Sequence, residues 1–322
     1  MPIPAAMQGR LSIPVIGSPL FIISTPDLVI AQCKAGIVGS FPALNARPKE
    51  LLEEWLKRII GELGEWEAKT GGKAAPFAVN QIAHQSNDRL MHDVEMTAKY
   101  KVPITITSLR APRAVVDTVH SSGGVVLHDV INIRHAQKAV EEGVDGLILV
   151  CAGAGGHAGT LSPFALLPEV RQWYKGTIAL SGSIAHGRSI FAAEALGADL
   201  AYIGTRFIAS LEGNADPAYK KMLVESAAKD IVYSNLFTGV HGNYLGPSIA
   251  NAGLDPGNLP QSDKSAMNFG SGGNTDKKVW RDIWGAGQGV GQIDAVLPVA
   301  EIVARLKAEY EAARKEFRAR EG

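Results

Sequence analysis

The chain has 322 residues, 46% apolar and 20% charged, a composition that can bury a large core and excludes a disordered or fibrous protein. Its 32 Lys and Arg balance 32 Asp and Glu; no basic excess is left to neutralise a phosphate backbone, so nucleic acid is not an expected partner. Two cysteines, Cys33 and Cys151, cannot form a disulfide framework, and no run reaches the roughly 18 uninterrupted apolar residues of a membrane span, so a soluble cytoplasmic protein is expected.

Short apolar runs alternate with helical patterns along the chain. The first strand is predicted at Ile13 to Gly17, with a helix from about Pro26 that Thr25 can cap. A second strand, Gly36 to Ser40, precedes a helix over Pro48 to Glu62, where Leu51, Leu52, Trp55, Leu56 and Ile59 recur at helical spacing. Strands at Ala75 to Asn80 and Val102 to Thr107 lead into helices near Asp88 to Tyr100 and Arg113 to His120. A fifth strand at Gly124 to Leu127 is followed by a helix from Asn132 to Glu142, and a sixth at Val144 to Val150 by the glycine-rich loop Gly153 to Gly159. The seventh, Thr177 to Ser181, the helix Gly187 to Leu196 and the eighth, Leu200 to Ile203, complete the series.

Eight strands, most of them separated by a helix, predict a parallel sheet covered by helices, closed as a single (β/α)₈ TIM barrel of α/β class. An open doubly wound sheet is the structural alternative, but no GxGxxG follows the first strand. Residues 1–206 and 281–322 are assigned to the barrel and its C-terminal helix, and 207–280 to an inserted cap. That insertion holds a helix at Pro217 to Lys229 and a polar stretch from Gly239 to Lys278, read as a lid. The helical segment Ile293 to Arg320 is expected on the barrel exterior.

Barrel active sites lie at the carboxyl ends of the strands. The loops Ser181-Gly182-Ser183 and Gly204-Thr205-Arg206 carry little bulk and lead into helices, so their backbone N–H groups can converge on one anion, with Thr205 adding a hydroxyl. A ligand bearing a phosphate is the functional reading; glycines that merely permit tight turns are the alternative. In Gly153-Ala154-Gly155-Gly156-His157-Ala158-Gly159, small neighbours leave His157 free to reach a ligand, and histidine suits proton transfer near neutral pH. His157 is therefore the candidate catalytic residue, against a purely structural loop histidine. His128, at the end of the fifth strand, is read as facing the same rim as a weaker ligand candidate that Asp129 could orient; Asp129 is the only clear carboxylate at a strand end, and His186 either meets a phosphate or caps a helix. No metal-ligating cluster and no GxSxG elbow is present in the sequence.

Ala152-Gly153-Ala154-Gly155-Gly156-His157-Ala158-Gly159, then Ser181-Gly182-Ser183-Ile184, Gly187-Arg188, Gly197-Ala198-Asp199 and Gly204-Thr205-Arg206-Phe207, resemble the nitronate monooxygenase family, formerly called 2-nitropropane dioxygenases. Pro14 to Leu20, Phe77-Ala78-Val79-Asn80 and Trp284 to Gly291 fit the same pattern, so the resemblance covers nearly the whole chain. It implies a metal-free barrel that binds FMN. Gly182, Ser183, Gly204 and Thr205 would hold the phosphate; Gly17, Ser18, Asn80, Gly155, Gly156 and Ser181 would approach the ring or ribityl chain. His157 would stand beside the ring, and Trp284 to Gly291 would close the pocket.

The activity the resemblance implies is oxidation of alkyl nitronates, and of nitroalkanes if His157 acts as base, with O2 to a carbonyl compound and nitrite. An NAD(P)H-dependent FMN reductase acting on quinones or enoyl thioesters is the first rival, and a non-redox barrel for a phosphorylated metabolite the second. Expected partners are a small-molecule substrate and O2, without a membrane, and a homodimer is compatible with the sequence.

Overall fold

A computed structural model describes residues 3–110, 112–262 and 283–320. Eight parallel strands form one sheet: β1 (Val15–Gly17), β2 (Gly39–Pro42), β3 (Phe77–Ile82), β4 (Ile104–Ser108), β5 (Val125–Val130), β6 (Gly146–Val150), β8 (Thr177–Ser181) and β9 (Leu200–Ile203). The short β7 (Gly156–His157) lies between β6 and β8 in the chain but outside this sheet. Each barrel strand pairs with the next in sequence, β9 pairs with β1, and the bridge Ile16 to Val38 joins β1 to β2. The Gly17 N–H donates to Val38 O (2.8 Å) and the Val38 N–H to Val15 O (3.1 Å), which closes the barrel.

The period of two along each strand divides the core. Ile16, Val38, Ala78, Ile104, Ile106, Leu127, Ile148, Ala179, Leu200 and Tyr202 fill the interior, and Met7, from a short N-terminal turn, joins them with no exposed surface. The alternate residues, such as Val126, Val130, Leu147 and Leu149, face the helices.

The helices that cover the sheet are α1 (Pro26–Lys34), α2 (Leu51–Thr70), α3 (Leu90–Lys99), α4 (Arg113–Ser121), α5 (Ile133–Glu141), α6 (Pro163–Trp173) and α7 (Gly187–Leu196). Helix α6 completes the repeat where the sequence had suggested only a glycine-rich loop. Pro163 sits at the first helical position, where no N–H is needed, Ser162 Oγ accepts the N–H of Phe164, and the helix continues through Pro168.

After β9 come α8 (Thr205–Ile208), α9 (Pro217–Glu225) and a cap. The predicted helix to Lys229 stops at Glu225 and resumes as a single turn, Ala228–Asp230. The polar stretch predicted as a lid is built, as far as residue 262, from the end of a hairpin and a helix; its remainder, 263–278, lies outside the described residues. The hairpin strands β10 (Ile231–Ser234) and β11 (Gly242–Leu245) form an antiparallel sheet with β7 in the order β10-β11-β7, followed by α10 (Gly246–Asn251). The cap therefore recruits a strand from the barrel's own glycine-rich loop.

The last helix, α11 (Val299–Arg318), buries Val299, Ile302, Val303, Leu306, Tyr310 and Ala313 and lies on the barrel exterior as expected. Its approach to α7 depends on Gly187: a Cβ there would stand 2.2 Å from Leu306 O.

Candidate functional site

Strand alternation decides which rim residues face the barrel mouth. Leu127 is inside, so Asp129 is inside with it, and Ser108 follows Ile106 on β4. Asn80 Nδ2 donates to Ser108 Oγ (2.8 Å) and to Ile106 O (3.2 Å), and Ser108 Oγ donates to Asp129 Oδ2 (2.6 Å). Burial pushes the Asp129 carboxyl up to about 7 against the lowering by the Ser108 hydrogen bond. Ser181, last residue of β8, is on the inner face with Ala179.

His128 is placed otherwise than the sequence suggested. It lies on the outer face of β5, its Nδ1 2.8 Å from Thr107 Oγ1, under the helices and away from the mouth. Burial drives its pKa down to about 4, opposed by a hydrogen bond with Thr107. His186 is a helix cap: its Nδ1 accepts the Arg188 N–H at 3.0 Å, and its Nε2 lies 3.3 Å from Glu309. Glu309 also accepts the Gly187 N–H at 2.7 Å, so the start of α7 is satisfied within the protein rather than turned to the mouth.

The loops after β6, β8 and β9 converge. Gly153, at φ +83°, accepts the N–H of Ser183 (3.3 Å) and of Gln288 (2.9 Å), and Thr205 Oγ1 accepts the N–H of Gly287 (2.9 Å). A Cβ at Gly153 would meet Ser183 Oγ at 2.1 Å, and one at Gly155 would meet Thr205 Oγ1 at 3.0 Å. Ser183 itself is left-handed, at φ +56°. Ser18 lies against the same place, 2.5 Å from where a Gly204 Cβ would be. Gly17 turns instead toward α1, where a side chain would run into the Gln32 amide at 2.3 Å, and its carbonyl accepts Ser40 Oγ at 2.5 Å. The segment Gly285 to Gly289 thus seals the convergence from outside.

His157 stands on β7, paired across to Gly242 of β11. Its Nε2 is 2.8 Å from Thr238 Oγ1 in the hairpin loop. Thr238 Oγ1 is also 3.0 Å from Val240 O and accepts the Val240 N–H at 3.3 Å. With the threonine hydrogen on the carbonyl, Nε2 carries the imidazole proton; with that hydrogen on Nε2, the imidazole proton sits on Nδ1. Burial pushes the ring down to about 4, so it is neutral at physiological pH. Asn243 Nδ2 donates to Ala154 O (2.6 Å) and Tyr233 to Ala158 O (2.9 Å), tying the loop to the cap on both sides of His157. Tyr219 stacks on Trp284 at 4.9 Å and donates to Gly285 O, anchoring the sealing segment.

Thr238 and Asn243 were not singled out from the sequence. A two-residue strand leaves no periodicity, and nothing local links Thr238 to a histidine far upstream; Ser108 was legible as the inner neighbour of Asp129. Both thiols are buried, and burial lifts Cys33 and Cys151 to about 12, which leaves them unreactive. Among the described residues no group of three or more His, Cys, Asp or Glu could hold a metal ion, and no helix is long and apolar enough to cross a membrane.

Comparison with known proteins gives a consistent neighbourhood. Residues 43–309 match the family model "Nitronate monooxygenase". A nitronate monooxygenase of Paraburkholderia phytofirmans is 26% identical over 353 aligned positions, covering 95% of this chain and 94% of the relative. A hydroxy-oxo-octahydro-indene-carboxyl-CoA dehydrogenase of Rhodococcus jostii is 24% identical, covering 76% of this chain and 66% of the relative. A FabK mutant from Thermotoga maritima superposes with a TM-score of 0.77 at 24% identity over 96% of both chains.

Proposed function

The chain belongs to the nitronate monooxygenase family, and from that premise we propose that it is an FMN-dependent oxidoreductase that oxidises alkyl nitronates with O2 to a carbonyl compound and nitrite. A flavin-barrel oxidoreductase acting on small organic molecules is the broader assignment that the relatives support.

The mouth of the barrel fits such a cofactor on two counts. Gly153, Gly155 and Gly204 let the loops meet at distances that a side chain would forbid, which brings Ser18, Ser183 and Thr205 together at one rim, and Asp129 Oδ1 is a buried polar atom without a partner among the described residues. Gly182, Gly204 and Thr205 would hold the phosphate through backbone N–H groups, and Ser183 and Thr205 through their hydroxyls. Ser18, Asn80 and Ser181 would meet the ribityl chain and ring edge, with bare backbone from Gly155 and Gly156. Bound there, FMN supplies the electron-accepting ring that no side chain of this protein provides.

The observation that carries the catalytic reading is the state of His157. A buried, neutral imidazole oriented by Thr238 is in the protonation state that a proton acceptor requires. That suits removal of the acidic α-proton of a neutral nitroalkane; it does not suit charge pairing with a nitronate. The preformed nitronate needs no such base.

The test is an anaerobic spectral titration of the FMN-loaded protein with propionate 3-nitronate, NADH and NADPH in parallel. Bleaching by the nitronate and not by the nicotinamides is expected. The reverse result would transfer the assignment to the second reading, an NAD(P)H-dependent reductase of quinones or enoyl thioesters, which the similarity to a carboxyl-CoA dehydrogenase favours.

A further inference from the structure

The row Asn80, Ser108, Asp129 has a direction. Asn80 Nδ2 can only donate, so Ser108 Oγ accepts it and must pass its own hydrogen to Asp129 Oδ2. Oδ2 is thereby used as an acceptor. Oδ1 is buried and meets no donor among the described residues. An ionised Asp129 would therefore leave a bare anionic oxygen inside the barrel mouth, a costly arrangement. A neutral Asp129 would carry its hydrogen on Oδ1, the oxygen that Ser108 does not occupy. The titratable group facing it from β9 is Tyr202, whose own pKa is raised by burial and by the Asp129 charge.

We propose that Asp129 stands as a neutral carboxylic acid in the resting protein and offers its Oδ1–H as a hydrogen-bond donor to an acceptor atom of the ligand held in the mouth. This rests on the mouth being the FMN site, and it adds a donor there at a position where the sequence shows only a carboxylate. The direction of the serine contact fixes which oxygen donates. Burial, which raises the group from 3.8 to about 7, acts in the same sense.

The sign of the linkage follows. Between about pH 4 and about pH 7 the native protein keeps a proton that the unfolded chain has lost, so Asp129 makes stability fall as pH rises through that window and level off above it. His128 and His157, both lowered, act oppositely between pH 6.5 and about 4. The informative quantity is therefore the difference between parent and Asp129→Asn.

Two measurements test the proposal. In the first, thermal unfolding of the FMN-free protein is followed from pH 4.5 to 8.5. Asp129→Asn should gain on the parent by several degrees as pH rises to 7; parallel curves overturn the proposal. In the second, FMN affinity is titrated over pH 6 to 8.5. The parent should weaken about three- to tenfold relative to Asp129→Asn, in which the FMN phosphate titrates identically and cancels. Equal pH dependence overturns the donor role. Should Asp129→Asn fail to fold, Ser108→Ala replaces it; loss of the Ser108 bond, which lowers the Asp129 pKa, must move the upper end of the window to higher pH, and an unmoved window overturns the proposal. A parent that takes up no FMN defeats the flavin reading, and the unfolding curves alone then decide whether Asp129 is neutral.

Discussion

His157 Nε2 lies 2.8 Å from the hydroxyl of Thr238, 81 positions further along the chain. This contact joins the loop after β6 to the hairpin of the cap, so the orientation of the imidazole depends on the cap being in place. Thr238→Val keeps the shape and removes the hydroxyl that orients the ring. It should lower kcat with neutral nitroalkanes by about 10- to 100-fold, in keeping with second partners of working histidines, with FMN content unchanged. A variant with full activity would show that the cap does not orient the imidazole.

His157→Asn carries the proton-transfer argument further. General bases contribute about 10² to 10⁴ in rate. The loss should fall on neutral nitroalkanes and spare the preformed nitronate. Parallel rates on both substrates check it, and equal losses would remove the base role. With burial holding the ring at about 4, the parent's kcat/KM should show no histidine inflection between pH 5 and 8.

His128 gives a stability prediction free of catalysis. Its pKa is lowered from 6.5 to about 4, mainly by burial. As pH falls through that interval the unfolded chain binds a proton that the native state refuses, and stability is lost. His128→Asn should therefore be favoured over the parent more at pH 5 than at pH 8, by about 1–3 kcal/mol at roughly 1.4 kcal/mol per unit. Urea unfolding at the two pH values measures the difference, and an equal offset at both would place the neutral histidine in doubt.

Much of the barrel was legible because each strand is an apolar run bounded by turn residues. Thr177–Ser181, Leu200–Ile203 and Gly187–Leu196 were placed without shift. The alternation of Val126, Leu127, His128, Asp129 and Val130 already held the answer that His128 and Asp129 face opposite ways, since Leu127 belongs inside. In α6 only Pro163 stands at the helix start, where proline is tolerated, while the helix continues through Pro168 to Trp173, and that continuation has no local signal. The cap sheet could not be read. Gly156 and His157 become a strand only through pairing with Gly242 and Asn243, a tertiary event with no local pattern.

Gly187 tests whether α11 is a separable strap. Its missing Cβ lets α7 approach within 2.2 Å of that atom's position at Leu306 O, in a region whose polar contacts belong to Glu309 and His186. Gly187→Ala should cost about 1–3 kcal/mol by overpacking and leave FMN affinity unchanged. Calorimetry and a flavin titration on one preparation check both halves. A fall in affinity would mean that the start of α7 reaches the ligand after all.

Ser183 sets stability against binding. It is a non-glycine residue at φ +56°, beside Gly153, whose own Cβ would collide with the serine hydroxyl. A left-handed conformation costs an L-residue about 1–2 kcal/mol, and the hydroxyl is the return on it if it binds phosphate. Ser183→Gly removes both. The apo-protein should then unfold at a higher temperature, by about 1 kcal/mol less the entropy that glycine adds to the unfolded chain, while FMN binds about tenfold more weakly for one lost charge-assisted hydrogen bond. Ser183→Ala separates the two effects, since it keeps the strain and lacks the hydroxyl: its stability should match the parent and its affinity should match Ser183→Gly. If Ser183→Ala binds FMN as tightly as the parent, the hydroxyl does not touch the phosphate, and the loop acts through its backbone alone.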